Sequence, residues 1–201
     1  MYSVAAIILA AGQSQRMGGA NKLLLPVAGQ PMIRHVVKCY RAAIDGPIIV
    51  VTGHDASNVE AALDHIDAHC TFNPDHKNGQ QTAVALGLSH APDANLLLIG
   101  LGDQPLLQSA DIRDLIAAHQ SADPLKISIP AMDHVRGNPI VVPHSLRAML
   151  TADQERPGCM RFRRDNPARV QRHALPAAGF YTDIDTPNDY AALTSDKEFI
   201  T

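Results

Sequence analysis

The sequence is short of several things, and each shortage removes a class of protein. It has no tryptophan and only three cysteines, Cys39, Cys70 and Cys159, which are far apart and never in CxxC spacing. That count and spacing exclude a disulfide framework and a zinc knuckle, and leave three buried or incidental thiols. No stretch reaches the roughly 18 apolar residues of a membrane span. The apolar N-terminal run has no basic segment before it and turns glycine-rich soon after, so it reads as a strand rather than a secretion signal. A cytoplasmic protein is the expectation, with no membrane partner.

Charge of one sign is also missing. Seventeen basic and twenty acidic residues give a formal net charge of −3, spread along the chain. No broad basic face is available to follow a nucleic-acid backbone, so nucleic acid is not an expected partner. Ten histidines invite a metal reading, and His65 and His69 stand four residues apart in "ALDHIDAHC". No third ligand lies near them, so they read as a solvated helix end. Low-complexity segments, internal repeats and linkers are absent, and 201 residues with 46% hydrophobic content suit one domain, residues 1–201, with a full core.

What is present is an alternation. "SVAAIILAA", "GPIIVVTG", "CTFN" and "ANLLLIGLGDQP" are apolar throughout, as strands buried on both faces are. Between them lie helical patterns: residues 31–44 entered through Pro31, 57–66 capped by Ser57 or Asp55, and 79–91 entered at Gly79. A helix capped by Ser109 follows. The order predicts an α/β, doubly wound, mostly parallel sheet of Rossmann-like type. The second half is more mixed. "LKISIPAM", "RGNPIVVP" and "RVQRHAL" read as strands, "SLRAMLT", "PGCMRFRRD" and "TPNDYAALTS" as helices, and together they predict added strands at one edge with a substrate-facing C-terminal lobe.

In such sheets ligands bind beyond the carboxyl ends of the strands. "LAAGQSQRMGGANKLLLP" follows the first strand, with Gly12, Gly18 and Gly19 freeing the backbone and Arg16 and Lys22 supplying two separated cations. It matches neither the Walker P-loop nor GxGxxG, but suits a triphosphate or a sugar nucleotide. "GDQP" ends a strand at Asp103, where a carboxylate beside phosphates can hold Mg²⁺. "DIDTP" sets Asp183 and Asp185 on one side of an extended segment; one serves as a second oxygen ligand, Asp185 being the better placed, unless Asp185 or Thr186 only caps the last helix. Around "RGNP", Arg136 can hold an acceptor's phosphate with the Gly137 backbone under a ring, or the segment is only a turn before an edge strand. Arg156, Arg161, Arg163 and Arg164 form either an anion patch or a solvated helix face.

These four motifs, in this order and spacing, resemble the nucleotidyltransferases of molybdenum cofactor maturation, the cytidylyl branch above all, from about Val4 to Tyr190. The resemblance implies a nucleotidyltransferase fold and Mg²⁺-dependent transfer of CMP from CTP to the phosphate of molybdopterin cofactor, with pyrophosphate released and the product passed to a molybdenum hydroxylase. It implies that Leu9, Ala10, Ala11 and Gly12 line base and ribose, that Arg16 and Lys22 hold the triphosphate, and that Asp103 and Asp185 bind Mg²⁺. Arg16, Lys22 and Asp103 would be catalytic. Gly79, Gln80, Gln81 and Thr82 would face the base, and Arg136, Gly137, Asn138 and Pro139 the acceptor. Asn138 stands where these enzymes usually have histidine. Other readings are another nucleotide such as GTP, another acceptor such as a sugar or alditol phosphate, or a chaperone that delivers the cofactor.

Overall fold

The computed structural model describes residues 2–152 and 159–195. Its strands are β1 (Val4–Ala10), β2 (Pro26–Val27), β3 (Gln30–Pro31), β4 (Ile48–Thr52), β5 (His69–Phe72), β6 (Leu96–Leu101), β7 (Ile127–Met132), β8 (Val135–Arg136), β9 (Ile140–Pro143) and β10 (Val170–His173). Its helices are α1 (Met32–Ala43), α2 (Ala56–Ala62), α3 (Gln80–Ser89), α4 (Ser109–Gln120), α5 (His144–Thr151), α6 (Cys159–Asp165) and α7 (Pro187–Ser195). Among the described residues no helix is long and apolar enough to cross a membrane.

The strands of the main sheet run β10-β7-β9-β6-β1-β4-β5, with β8 paired to β7. β6, β1, β4 and β5 pair in parallel, and β10 pairs in parallel with β7. Alternate residues of each strand feed opposite layers, which is why the strands are apolar throughout. Ala6, Ile8, Val50, Leu96 and Leu98 pack under α1, α2 and α4, while Ala5, Ile7, Val51, Leu97, Ile99 and Ile129 pack under α3, α5 and α6. The doubly wound expectation therefore holds. The second half adds its strands to the same sheet.

Three local expectations fail for physical reasons. β9 is no edge strand: it inserts antiparallel between β6 and β7 and is buried along its length. α2 stops at Ala62, so His65 and His69 never share a helix face, and His65 adopts φ 61°. Asp55 does occupy the N-cap position of α2, but its carboxylate accepts from the Asn58 side chain at 2.7 Å rather than from the backbone. The cap of α4 is Gln108, in a reciprocal pair with Asp111, so Ser109 lies inside the helix. The cysteines are free thiols, as their spacing implied.

A buried polar knot fastens the β10 edge. Ser128 Oγ on β7 lies 2.8 Å from His119 Nδ1 of α4, 2.8 Å from His173 Nε2 of β10 and 3.0 Å from Gln171 Nε2. Burial, and for His119 also the neighbouring His173, holds both imidazoles below their usual pKa. The unfolded chain, near the ordinary 6.5, therefore takes up protons before the folded one, and stability is lost as pH falls through that value. Thermal melts should show a lower Tm at pH 5.5 than at pH 7.5. Ser128→Ala, which strips partners from buried His119, should cost about 1–3 kcal/mol at either pH.

Candidate active site

The segments that follow the carboxyl ends of β1, β5 and β6 line a cavity of about 600 Å³, in the range of small-molecule sites. One wall is the segment after β1. Ser14 takes a left-handed φ of 50°, and Gly18 and Gly19 follow at 67° and 104°, a path that only short or side-chain-free residues follow cheaply. This path folds the loop back so that Ser14 Oγ accepts from the Lys22 backbone at 3.2 Å, and Asn21 Oδ1 accepts from Leu23 N at 3.1 Å. Lys22 is thereby aimed inward from a 3-10 turn.

Its Nζ sits between two carboxylates, 2.5 Å from Asp103 Oδ2 and 2.8 Å from Asp185 Oδ1. The Lys22 side chain is only 11% exposed. Burial works against its charge, but Asp103 and Asp185 outweigh burial and hold its pKa above the ordinary value. Asp185 also accepts from Arg16 Nη2 at 2.9 Å. Burial alone would raise the Asp185 pKa, and the two cations instead hold it down. The two carboxylates meet because Ile184 N donates to the Asp103 carbonyl at 2.9 Å, which ties the "DIDTP" segment to "GDQP". Asp189 and Thr186 form the cap of α7, so Asp185 is free for the pocket.

Asp183 also lines the cavity. Burial and the charges of Asp103 and Asp185 push its pKa up to about 6. Three carboxylates thus converge, and Asp103 Oδ1 is buried with no hydrogen-bond partner. Hard oxygen donors of this kind fit Mg²⁺, which uses one or two carboxylates and fills its remaining positions with phosphate oxygens and water. No closed cage of three or more His, Cys, Asp or Glu ligands occurs among the described residues.

The opposite wall follows β5. Asn73, 2% exposed, donates to Thr82 Oγ1 at 2.9 Å and accepts from Asp75 N at 3.0 Å, shaping the loop that brings His76 and Lys77 to the cavity. Gly79 at φ 103° then turns the chain into α3, whose positive N-terminal end faces the cavity. Leu9, Ala11, Ala83 and Leu101 give the cavity an apolar side.

Of the residues expected here, Leu9, Ala10, Ala11, Gly12, Arg16, Lys22, Gly79, Gln80, Asp103 and Asp185 line the cavity. Gln81 and Thr82 do not: Gln81 Nε2 turns back to the Asn78 carbonyl at 2.7 Å, and Thr82 Oγ1 is held by Asn73 and by the Gly79 carbonyl at 2.9 Å. Arg136, Gly137, Asn138 and Pro139 lie outside it. The space beside Gly137 belongs to Phe180, whose carbonyl would stand 2.6 Å from a Cβ there, and Asn138 N donates to that carbonyl at 2.9 Å. Pro139 packs beside Gly100. Arg156 lies outside the described residues. His76 and Lys77 were missed, although their place between a strand end and a helix start is the same signal that marked Arg16 and Lys22.

An apolar strand running into a cation-bearing loop, facing paired carboxylates at one edge of a doubly wound sheet, defines an enzyme of the nucleotidyltransferase class. Residues 6–173 match the MobA-like NTP transferase domain, and the chain belongs to that family. The bifunctional protein GlmU of Pelobacter propionicus is 36% identical over 123 residues, covering 60% of this chain and 27% of that protein. The chain spans about a quarter to a third of the length of the curated relatives it matches. A nucleotidyl transferase from Methanothermobacter, Mth528, superposes with a TM-score of 0.79 at 25% identity, over 96% of both chains. Rv0371c from Mycobacterium tuberculosis shares the fold with a TM-score of 0.81 at 24% identity, over 97% of this chain and 98% of that one.

Gly53 sets the width of the cavity. A Cβ there would stand 2.6 Å from His76 Cβ and 2.8 Å from Ala11 Cβ, so it would wedge the two walls apart. Gly53→Ala should weaken nucleoside triphosphate binding about tenfold in a calorimetric titration, equivalent to about 1.4 kcal/mol. Its circular dichroism should stay that of the wild type.

Proposed function

We propose that the chain transfers CMP from CTP to the phosphate of molybdopterin cofactor, releasing pyrophosphate, and that the product passes to a molybdenum hydroxylase. The observation that carries the reading is Lys22 bridged between Asp103 and Asp185 beneath the β1 loop. A buried cation against two carboxylates can exchange partners with a polyphosphate and its counter-cation. CTP and molybdopterin are supported by the resemblance of "LAAGQSQRMGGANK", "GDQP", "RGNP" and "DIDTP" to the nucleotidyltransferases of molybdenum cofactor maturation.

In this reading an oxygen of the acceptor phosphate attacks the α-phosphorus in line. A new P–O bond forms, the bond to the bridging oxygen breaks, and its electron pair leaves on pyrophosphate. Lys22, already placed and partly dehydrated, meets the charge that spreads over the phosphate oxygens with little reorganisation. Arg16, whose side chain is 67% exposed with Asp185 as its partner, swings to the outer phosphates. Lys77 faces them from the other wall. Asp103 and Asp185 would hold Mg²⁺, which when bound neutralises phosphate charge and assists the leaving group. The backbone from Ala10 to Gly12 and the apolar side formed by Leu9, Ala83 and Leu101 fix the nucleoside, so that most of the rate gain is positioning.

Pyrophosphate release tests the proposal. With molybdopterin and Mg²⁺, turnover is expected with CTP, and none with any nucleotide would refute the acceptor assignment. Lys22→Ala should lose about 3 kcal/mol of transition-state stabilisation, roughly a hundredfold or more in kcat.

A further inference from the structure

Two arginines outside the cavity are brought together by the fold. Arg136 on β8 stands opposite Ala131 on β7, and directly opposed residues of an antiparallel pair share a face. Ile127 and Ile129 on β7 are buried in the layer of α3, α5 and α6. By the two-residue alternation Ala131, and with it Arg136, belongs to that same face. α6 lies there too, anchored in this layer by Cys159 and Phe162, and Arg163 follows Phe162 one turn beyond Cys159.

Among the described residues, no carboxylate pairs with either guanidinium. The carboxylate of α6, Asp165, is taken by Arg161 at 3.3 Å and Arg164 at 3.1 Å. Arg163 Nε is buried without a hydrogen-bond partner, and Arg136 is exposed, with no ion pair among the described residues. Burial, and then the charge of Arg136, lowers the pKa of Arg163. A pair of like charges held this way is unfavourable until an anion joins it.

The location fits an acceptor. β7 is antiparallel to β9, and β9 to β6, so β7 ends at the same edge as β6 and Asp103. Two strand spacings, about 10 Å, separate β6 from β7. The cavity wall formed by α3 and Leu101 and the arginine pair lie on one face of the sheet.

We propose that Arg136 and Arg163 form a second oxyanion subsite, beside the nucleotide cavity, that takes the phosphate dianion of the acceptor. Two guanidinium groups match the roughly −1.5 to −2 charge of a phosphate monoester and can bind its oxygens in fork geometry. Anion binding by the pair stands on the geometry above; the identity of the anion as the acceptor's phosphate rests on the proposed reaction.

Inorganic phosphate titrated against the protein, followed by ³¹P line broadening, tests the pair without turnover. Arg163→Met and Arg136→Gln should each weaken the same phosphate site roughly tenfold or more, the cost of a lost charge-assisted hydrogen bond. Arg164→Met, on the same helix but paired with Asp165, should leave that site intact, and Lys22→Ala should remove a different one. Exposed Arg136 is the variant that bears on the question should Arg163→Met fold poorly. An unchanged titration in Arg136→Gln, or an equal loss in Arg164→Met, overturns the inference. With molybdopterin as acceptor, the two variants should raise its KM tenfold to a hundredfold while the KM for CTP stays put, and unaltered acceptor KM values overturn the subsite's role. Absence of turnover by the wild type overturns only the reading of the reaction, and the phosphate titration still decides the arginine pair.

Discussion

The structure depends on one buried ion bridge. Lys22, drawn between Asp103 and Asp185, joins a loop near the start of the chain to a strand end at its middle and a segment near its end. Lys22 and Asp103, whose side chains are 11% and 18% exposed, would be costly to leave unpaired, while the more exposed Asp185 has Arg16 as a second partner. Together they are mutually satisfied. The left-handed turn at Ser14, the glycines after it and the Ile184 to Asp103 backbone bond all serve to bring these groups within contact.

The same bridge explains how one pocket can be stable without a ligand and still be ready for one. Arg16 and Lys22 lean on carboxylates that belong to the same set a divalent cation would want. A polyphosphate offers the cations new partners, and a metal offers new partners to the carboxylates. A bound metal and a bound nucleotide would each loosen the protein's own pairing in favour of the other, with Lys22 as the shared partner.

Much of this was legible in the residues. Strands buried on both faces announce themselves as unbroken apolar runs, so β1, β4 and β6 and the doubly wound layers followed directly. The loop cations and Asp103 were legible because ligand sites fall at strand ends. What escaped was set by partners distant in sequence. β9 looks like an edge strand in "RGNPIVVP", and only its pairing with both β6 and β7 makes it central. Gln81 and Thr82 are polar beside a pocket, yet local bonds within their own loop turn them away. The closeness of Ala11, Gly53 and His76 is a packing fact with no local pattern.

The antiparallel course of β9 has an electrostatic consequence. In the first half of the chain the parallel strands deliver the backbone to the working edge, and after β5 the N-terminus of α3 faces the cavity. β9 runs the other way and starts α5 at the far edge, while β7 turns into β8 with no helix between. The half of the edge beyond β6 thus has no helix dipole from these strands to offer an anion. Side chains can supply a positive field there, and that is the ground that Arg136 and Arg163 occupy.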